Sequence, residues 1–245
     1  MKVGVKTFNS EEFLKHFEDK VDFFEIMAVQ TNDYSFLKNF SLPMVIHAEH
    51  QQFGVNPADS SKKELNLRSI NFARKVANIA NAKKIIVHPG MIEKGNKNHS
   101  IKNAIDFFNE INDDRILIEN IPKKQGSDKI SLCSNPRETK KFIKKTNTKL
   151  CFDVNHALKN FKKLSGNYNF IKKYIQLNPA HYHIGGQRIL EKKEHICLED
   201  SELDLKKILS FYPNDAEITL ETETDTAKVE KDVEIIRNAL KELGK

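Results

Sequence analysis

The chain predicts one α/β domain over residues 1–245, built as a closed (β/α)8 barrel in which eight parallel strands are ringed by helices. Three observations predict it. Short apolar runs alternate with amphipathic segments from end to end. Most of the runs close on a histidine or an acidic residue. The length of 245 residues matches the roughly 250 that such a barrel typically needs. Repeated strand-then-helix units imply a parallel sheet, and eight of them imply closure. No linker, repeat or low-complexity tract divides the sequence.

Strands are read at 3–8, 23–27, 44–47, 84–88, 115–119, 150–153, 181–184 and 217–221, where apolar residues cluster in runs of strand length. The first helix, 10–20, is entered through Asn9 with Glu12 three positions on, a capping-box pattern. The segment 34–39 is barely long enough for a helix. The next, 60–81, carries Ile70, Ala73, Val76, Ala77 and Ala80 on one stripe, and 99–111 repeats the spacing with Ile101, Ala104, Ile105 and Phe108. Asn135 caps a helix that has Pro136 in its first turn and Glu138 three positions after the cap. A short segment, 202–210, precedes the last strand. Val229, Val233, Ile236, Leu240 and Leu243 stripe the final helix.

Composition bounds the function. With 39% hydrophobic and 30% charged residues the chain reads as an ordinary globular protein, without a run long enough to span a bilayer. Met1 to Val5 reads directly as a strand, with no apolar signal region or cleavage site. Cys133, Cys151 and Cys197 are odd in number and widely spaced, which indicates neither a disulfide framework nor a cysteine zinc knuckle. A cytoplasmic location is the expectation. The net charge of +6 permits an anionic substrate such as DNA without demanding one. Lysine pairs such as Lys140–Lys141 and Lys172–Lys173 fall in helical stretches, where they coat solvent faces.

The chemistry sits at the strand ends. His47, His88, Glu119 and Glu221 close their runs, Asp153 follows Leu150-Cys151-Phe152, and His183 follows His181-Tyr182. His156 lies three residues after Asp153, and His195 in the loop beyond His183. In a parallel barrel the C-terminal strand ends meet at one mouth. Imidazoles and carboxylates gathered there suit a divalent transition metal. Any one of these histidines alone is more often a structural residue; the set together reads as a metal site. Around it, Glu25 is either a pocket-lining group or a salt-bridged carboxylate, His50 and Glu49 face the site, and Arg188 meets a substrate phosphate. His181 is a deeper barrel-lining residue, His16 and His99 are solvent-facing, and Asn120 orients Glu119. Gly185-Gly186 marks a tight loop with close backbone approach.

The stretches Ile46-His47-Ala48-Glu49-His50, Val87-His88-Pro89-Gly90, Ile118-Glu119-Asn120, Asp153-Val154-Asn155-His156-Ala157 and Leu220-Glu221-Thr222 resemble endonuclease IV. More broadly they resemble the superfamily of xylose-isomerase-like TIM barrels, from about the second strand to the last helix. The resemblance implies up to three zinc ions and hydrolysis of the phosphodiester 5′ to an abasic site in DNA. One ion takes His47, His88 and Glu119. A second shares Glu119 and takes Asp153, His183 and Glu221. A third takes His156, His195 and an aspartate whose place here is held by Lys193, with Glu194 or Glu199 as replacements. Zinc-bound water ionises near neutral pH, and two ions roughly 3.5–4 Å apart stabilise both the attacking and leaving oxygens of an in-line displacement.

A second branch of the superfamily, the sugar and sugar-phosphate isomerases and epimerases, implies a single Mn2+, Mg2+ or Co2+ ion on Glu119, Asp153, His183 and Glu221. There Glu119 and Glu221 serve as general acid and base. The His47–His88 pair favours the hydrolase. Lys193, the His50-Gln51 pair standing where endonuclease IV has a Tyr-Leu wedge, and the short loop at 29–33 favour the isomerase. The hydrolase is preferred.

Overall fold

The computed structural model describes residues 1–123, 128–159, 161, 167–222 and 225–245. Its strands are β1 (Lys2–Thr7), β2 (Phe23–Ala28), β3 (Met44–Ala48), β4 (Ile85–Val87), β5 (Met91–Glu93), β6 (Ile116–Glu119), β7 (Lys129–Ser131), β8 (Lys149–Asp153), β9 (His181–Ile184), β10 (Gly186–Arg188), β11 (Lys193–Ile196) and β12 (Glu217–Leu220). Its α-helices are α1 (Glu11–Phe17), α2 (Lys63–Ile79), α3 (Ile101–Ile111), α4 (Pro136–Thr146), α5 (Val154–Leu158), α6 (Tyr168–Ile175), α7 (Leu205–Ser210) and α8 (Thr226–Glu242). Eight strands close into a barrel in the order β1-β12-β9-β8-β6-β4-β3-β2, every pair parallel. The expected (β/α)8 barrel is the fold observed.

Expected and observed strands agree to within a residue or two at their ends. The helices differ where caps decide. Ser10, not Asn9, caps α1 by accepting from the Phe13 N–H, and α1 stops at Phe17. The stretch from 60 opens as a 3-10 turn, Ser60–Lys62, and becomes helical only at Lys63. Ser100 caps α3 and Asp204 caps α7, so both begin later than expected. The segment near 34 is a 3-10 turn, Ser35–Asn39. A two-stranded antiparallel sheet, β5–β7, and an antiparallel hairpin, β10–β11, are additions to the expected plan.

Alternate strand residues point into the barrel, and this period of two builds its interior. Phe23, Val45, Ile86, Leu117 and Cys151 form a small apolar cluster of their own, a floor inside the barrel. The main core lies outside, between strands and helices, and includes Leu14, Phe17, Ile70, Phe108, Phe142 and Ile236. Gly4 fits this floor because a Cβ there would collide with the Phe23 ring. Two residues further along each strand, the side chains become polar: Lys6 after Gly4, Glu25 after Phe23, His47 after Val45, His88 after Ile86, Glu119 after Leu117 and Asp153 after Cys151. His183 follows His181 and Glu221 follows Thr219 in the same way. None of the three cysteines is in a disulfide, and all are buried. No helix among the described residues is long and apolar enough to cross a membrane.

Candidate metal centre

Among the described residues four groups have donor atoms within 4.8 Å of one another: His47, His88 and Glu119; Glu119, Asp153, His183 and Glu221; Asp153, His156 and His195; and, one step deeper, Glu25, His181 and His183. All eight candidate ligands expected from the sequence are therefore brought together, His156 from α5 and His195 from β11. Glu119 belongs to two groups and is fully buried, as are Asp153 and His183.

His47, His88 and His183 each use one nitrogen to hold themselves and turn the other inward. His47 Nδ1–H donates to the Ala48 carbonyl at 2.8 Å, and its Nε2 stands 3.0 Å from Glu119 Oε2. His88 Nδ1–H donates to Gln51 Oε1 at 2.9 Å, with Nε2 2.9 Å from the same Glu119 oxygen. His183 Nε2–H donates to Glu25 Oε2 at 2.8 Å, which leaves Nδ1 2.8 Å from Glu221 Oε2. His156 differs: its Nδ1 faces both the Asn120 carbonyl at 3.0 Å and Glu119 Oε1 at 3.1 Å, and His195 Nδ1–H donates to the Glu221 carbonyl at 2.9 Å. Carbonyl and carboxylate oxygens only accept, so a neutral imidazole cannot satisfy two of them at once. An acceptor at both ends of one ring calls for positive charge at the inner contact, a proton or a metal ion.

The buried atoms without hydrogen-bond partners make the same point. They include Glu119 Oε1, Asp153 Oδ2, His183 Nδ1 and Glu221 Oε2, one atom from each member of the four-residue group. Unpaired buried polar atoms are normally costly; four converging on one point are what cation ligands look like without their cation. The residues present thus fit a divalent ion, and the nitrogen–oxygen donor set suits zinc. Outer hydrogen bonds that fix tautomer and ring orientation are usual for metal-bound histidine.

Electrostatics follow from this crowding. Burial pushes the Glu119 carboxyl upward, but His88 and His183 more than offset it and hold it well below the usual carboxylate range. Burial raises Asp153. His50 is pushed down to about 2 by burial, with His88 and His47 adding to the shift, so its imidazole is neutral.

Several expectations are corrected. Glu25 is fully buried, accepts from His183 and from Thr219 Oγ1 at 2.9 Å, and pairs with Lys6 at 3.1 Å. It lies behind His183 and does not line the cavity, which makes it the salt-bridged carboxylate of the two alternatives. Arg188 sits on β10 facing Glu191 and Asp200, at 3.3 and 3.4 Å, outside the cavity lining. Asn120 straps Asp153 instead of orienting Glu119: its Nδ2 donates to the Asp153 carbonyl at 2.8 Å and its Oδ1 accepts from the Asp153 N–H at 2.9 Å. Glu49 accepts from the Gln30 backbone at 3.0 Å away from the centre. His99 is partly buried against Asp59 at 3.0 Å and is not solvent-facing. His181, as expected, lies deeper, with Nε2 2.7 Å from Thr219 Oγ1.

Asp153 has two duties: Oδ1 caps α5 by accepting from the His156 N–H at 2.6 Å, and Oδ2 remains for the centre. Lys193 is exposed and paired with Glu191 at 3.0 Å. Its neighbour Glu194 lines the cavity and pairs with Lys159, whereas Glu199 pairs with Lys231 on the surface. Gly185 is where the backbones of β9, β11 and β12 crowd: a Cβ would run into the Glu221 carbonyl and lie 3.2 Å from His195 Cα.

Above the centre opens a cavity of about 660 Å3 that includes His47, His50, Gln51, His88, Phe8 and Glu221 in its lining. Its cations, Lys6, Lys123, Lys159 and Lys192, were missed from the sequence. Lys6 Nζ lies 2.9 Å from Glu221 Oε1. The signal for it was available: Lys6 stands two residues after a floor position, as the metal-site residues do.

The chain belongs to the xylose isomerase-like TIM barrel family, whose model matches residues 16–242. Among solved structures it is similar to a D-tagatose 3-epimerase-like protein, with 21% identity, TM-score 0.78, and coverage of 100% of this chain and 98% of that one. It is similar to the TTHB071 protein of Thermus thermophilus, soaked with ZnCl2, at 17% identity and TM-score 0.76 with 99% of each chain covered. Endonuclease IV of the same organism matches at 14% identity and TM-score 0.71, covering 99% of this chain and 100% of that one. At these identities the likenesses show the fold alone. No curated protein matches the chain.

Proposed function

We propose that the chain is a multinuclear, zinc-dependent phosphodiesterase of endonuclease IV type, acting on DNA at abasic sites. The observation that carries this reading is the group His47, His88 and Glu119 beside the four-residue group. An isomerase holding one ion has no use for the two extra imidazoles. Ions at these groups supply Lewis acidity and an activated water at neutral pH. The metal ligands are His47, His88, Glu119, Asp153, His156, His183, His195 and Glu221. Glu119 bridges two of the groups and fixes their separation. Lys6 holds Glu221 by Oε1, so that Oε2 stays directed at His183. His50, neutral and stacked on His88 at a ring separation of 4.8 Å, offers substrate an uncharged donor or acceptor. The lysines around the mouth suit a phosphate-bearing substrate.

One observation favours the second reading, a sugar or sugar-phosphate epimerase on a single Mn2+, Mg2+ or Co2+ ion. Gln51 is engaged with His88 and so is not free to wedge open a duplex. In that reaction Glu119 and Glu221 would exchange the proton. A metal count on the purified protein separates the two: two or three zinc ions per chain support the hydrolase, one exchangeable ion the epimerase. Chelator-sensitive nicking of a duplex with a single abasic site then tests the substrate. Two or more zinc ions with no nicking would leave the multinuclear centre and remove abasic DNA.

A further inference from the structure

We propose that Gln51 is the positioning residue of His88 and makes the His47–His88–Glu119 group the weaker of the two zinc sites that share Glu119. The inference rests on the multinuclear reading above and goes beyond it by ranking the sites. The ranking comes from what holds each inward-facing histidine from behind. His47 and His195 lean on backbone carbonyls, which no substitution removes. His183 leans on Glu25, an ionised carboxylate held in place by Lys6 and Thr219. His88 alone leans on a neutral side-chain amide. A charged acceptor strengthens the hydrogen bond and raises the basicity of the ring's other nitrogen; an amide does so less.

The local structure shows that Gln51 is placed for this contact. It is the first residue of the 3-10 turn Gln51–Phe53, directly after β3 and its cap His50. His50 stacks on the His88 ring, with planes 20° apart, and this contact sets the tilt of the ring. Gln51 Oε1 sets its rotation. The other end of the amide, Nε2, is buried without a hydrogen-bond partner. A buried unpaired N–H2 is unfavourable, so the side chain is not held there by its own satisfaction. The remaining polar contact is the one to His88.

The test is a zinc titration of the chelator-stripped, folded protein against a competing chromophoric chelator, with Zn2+ alone as the probe. The wild type should take zinc in separated steps. In Gln51→Leu the weaker step should lose affinity 10- to 100-fold, the usual effect of removing such an outer partner, while the tighter step stays in place. Gln51→Glu, which keeps an acceptor at His88 Nδ1, should bind at the weaker step at least as tightly as the wild type. Identical titrations for Gln51→Leu and wild type overturn the inference while leaving the multinuclear reading intact. A fall in Gln51→Glu equal to that in Gln51→Leu also overturns it, since side-chain shape would then matter and not the acceptor. A wild type that takes one ion only overturns both.

Discussion

Glu25 is the residue whose removal should be felt most widely. It is fully buried, accepts from His183 and Thr219 at 2.8 and 2.9 Å, and pairs with Lys6 at 3.1 Å. In Glu25→Leu the His183 N–H and the Thr219 hydroxyl lose their acceptor, and the partly buried Lys6 ammonium keeps only Glu221 of its two carboxylates. Breaking a buried pair by removing one partner costs about 3–5 kcal/mol. For a chain of this size that should lower the melting temperature by roughly 6–20 °C, at about 2–4 °C per kcal/mol. Thermal and urea unfolding of chelator-stripped protein at neutral pH reads the effect without interference from bound metal. The double variant Lys6→Met/Glu25→Leu should recover part of the loss, because replacing both charges by apolar groups removes the ammonium that Glu25→Leu leaves with one carboxylate in place of two. Glu221, which also loses Lys6 in that variant, is 22% exposed and can turn to water. A Glu25→Leu protein melting within about 2 °C of the wild type, well short of the drop expected from a broken buried pair, would refute the reasoning.

Two further outcomes are expected. Gly185→Ala should push the Glu221 carbonyl aside and with it the acceptor of His195. The metal content should fall in a protein that remains folded, and unchanged content would contradict the crowding argument. At the opposite end of the barrel, hydrogen bonds from Arg115, at 3.0 and 2.8 Å, hold Asp113 below the usual carboxylate range. A carboxylate with a depressed folded-state pKa adds stability above its unfolded value near 4, and that stability is lost as the pH falls towards the folded value. Asp113→Asn should therefore lose about 1.5–3 kcal/mol at pH 7 and show a flatter decline of stability below about pH 4. Parallel acid-unfolding curves for the two proteins would count against it.

The barrel was legible in the sequence because each strand is an apolar run closed by a polar side chain, a signal carried entirely by neighbours in the chain. His47, His88, Glu119 and Glu221 announce themselves in this way. What was not legible depends on distant partners. The β5–β7 sheet pairs Met91 with Ser131 through three-residue strands, far apart in the chain and too short to show alternation. Nothing in Glu25's own segment reveals that Lys6 and His183 enclose it. Arg188 looks available for a phosphate in the sequence because Asp200 reaches it only through the fold of the following loop. Gln51 shows in the sequence only what it fails to be, a wedge; its role at His88 requires β3 and β4 to be placed side by side. Asn9 loses the α1 cap to Ser10 by one position, a choice that local chemistry alone does not decide.

The floor of Phe23, Val45, Ile86, Leu117 and Cys151 is separated by the strand wall from the larger core under the helices. Chemistry and folding are thereby assigned to different storeys of one building. Apart from Asp153, which caps α5, side chains on the deck above the floor face away from the helix layer and can be exchanged without repacking it. A lineage built on this plan can change its reaction by altering a single tier of inward-pointing residues while the scaffold stays in use.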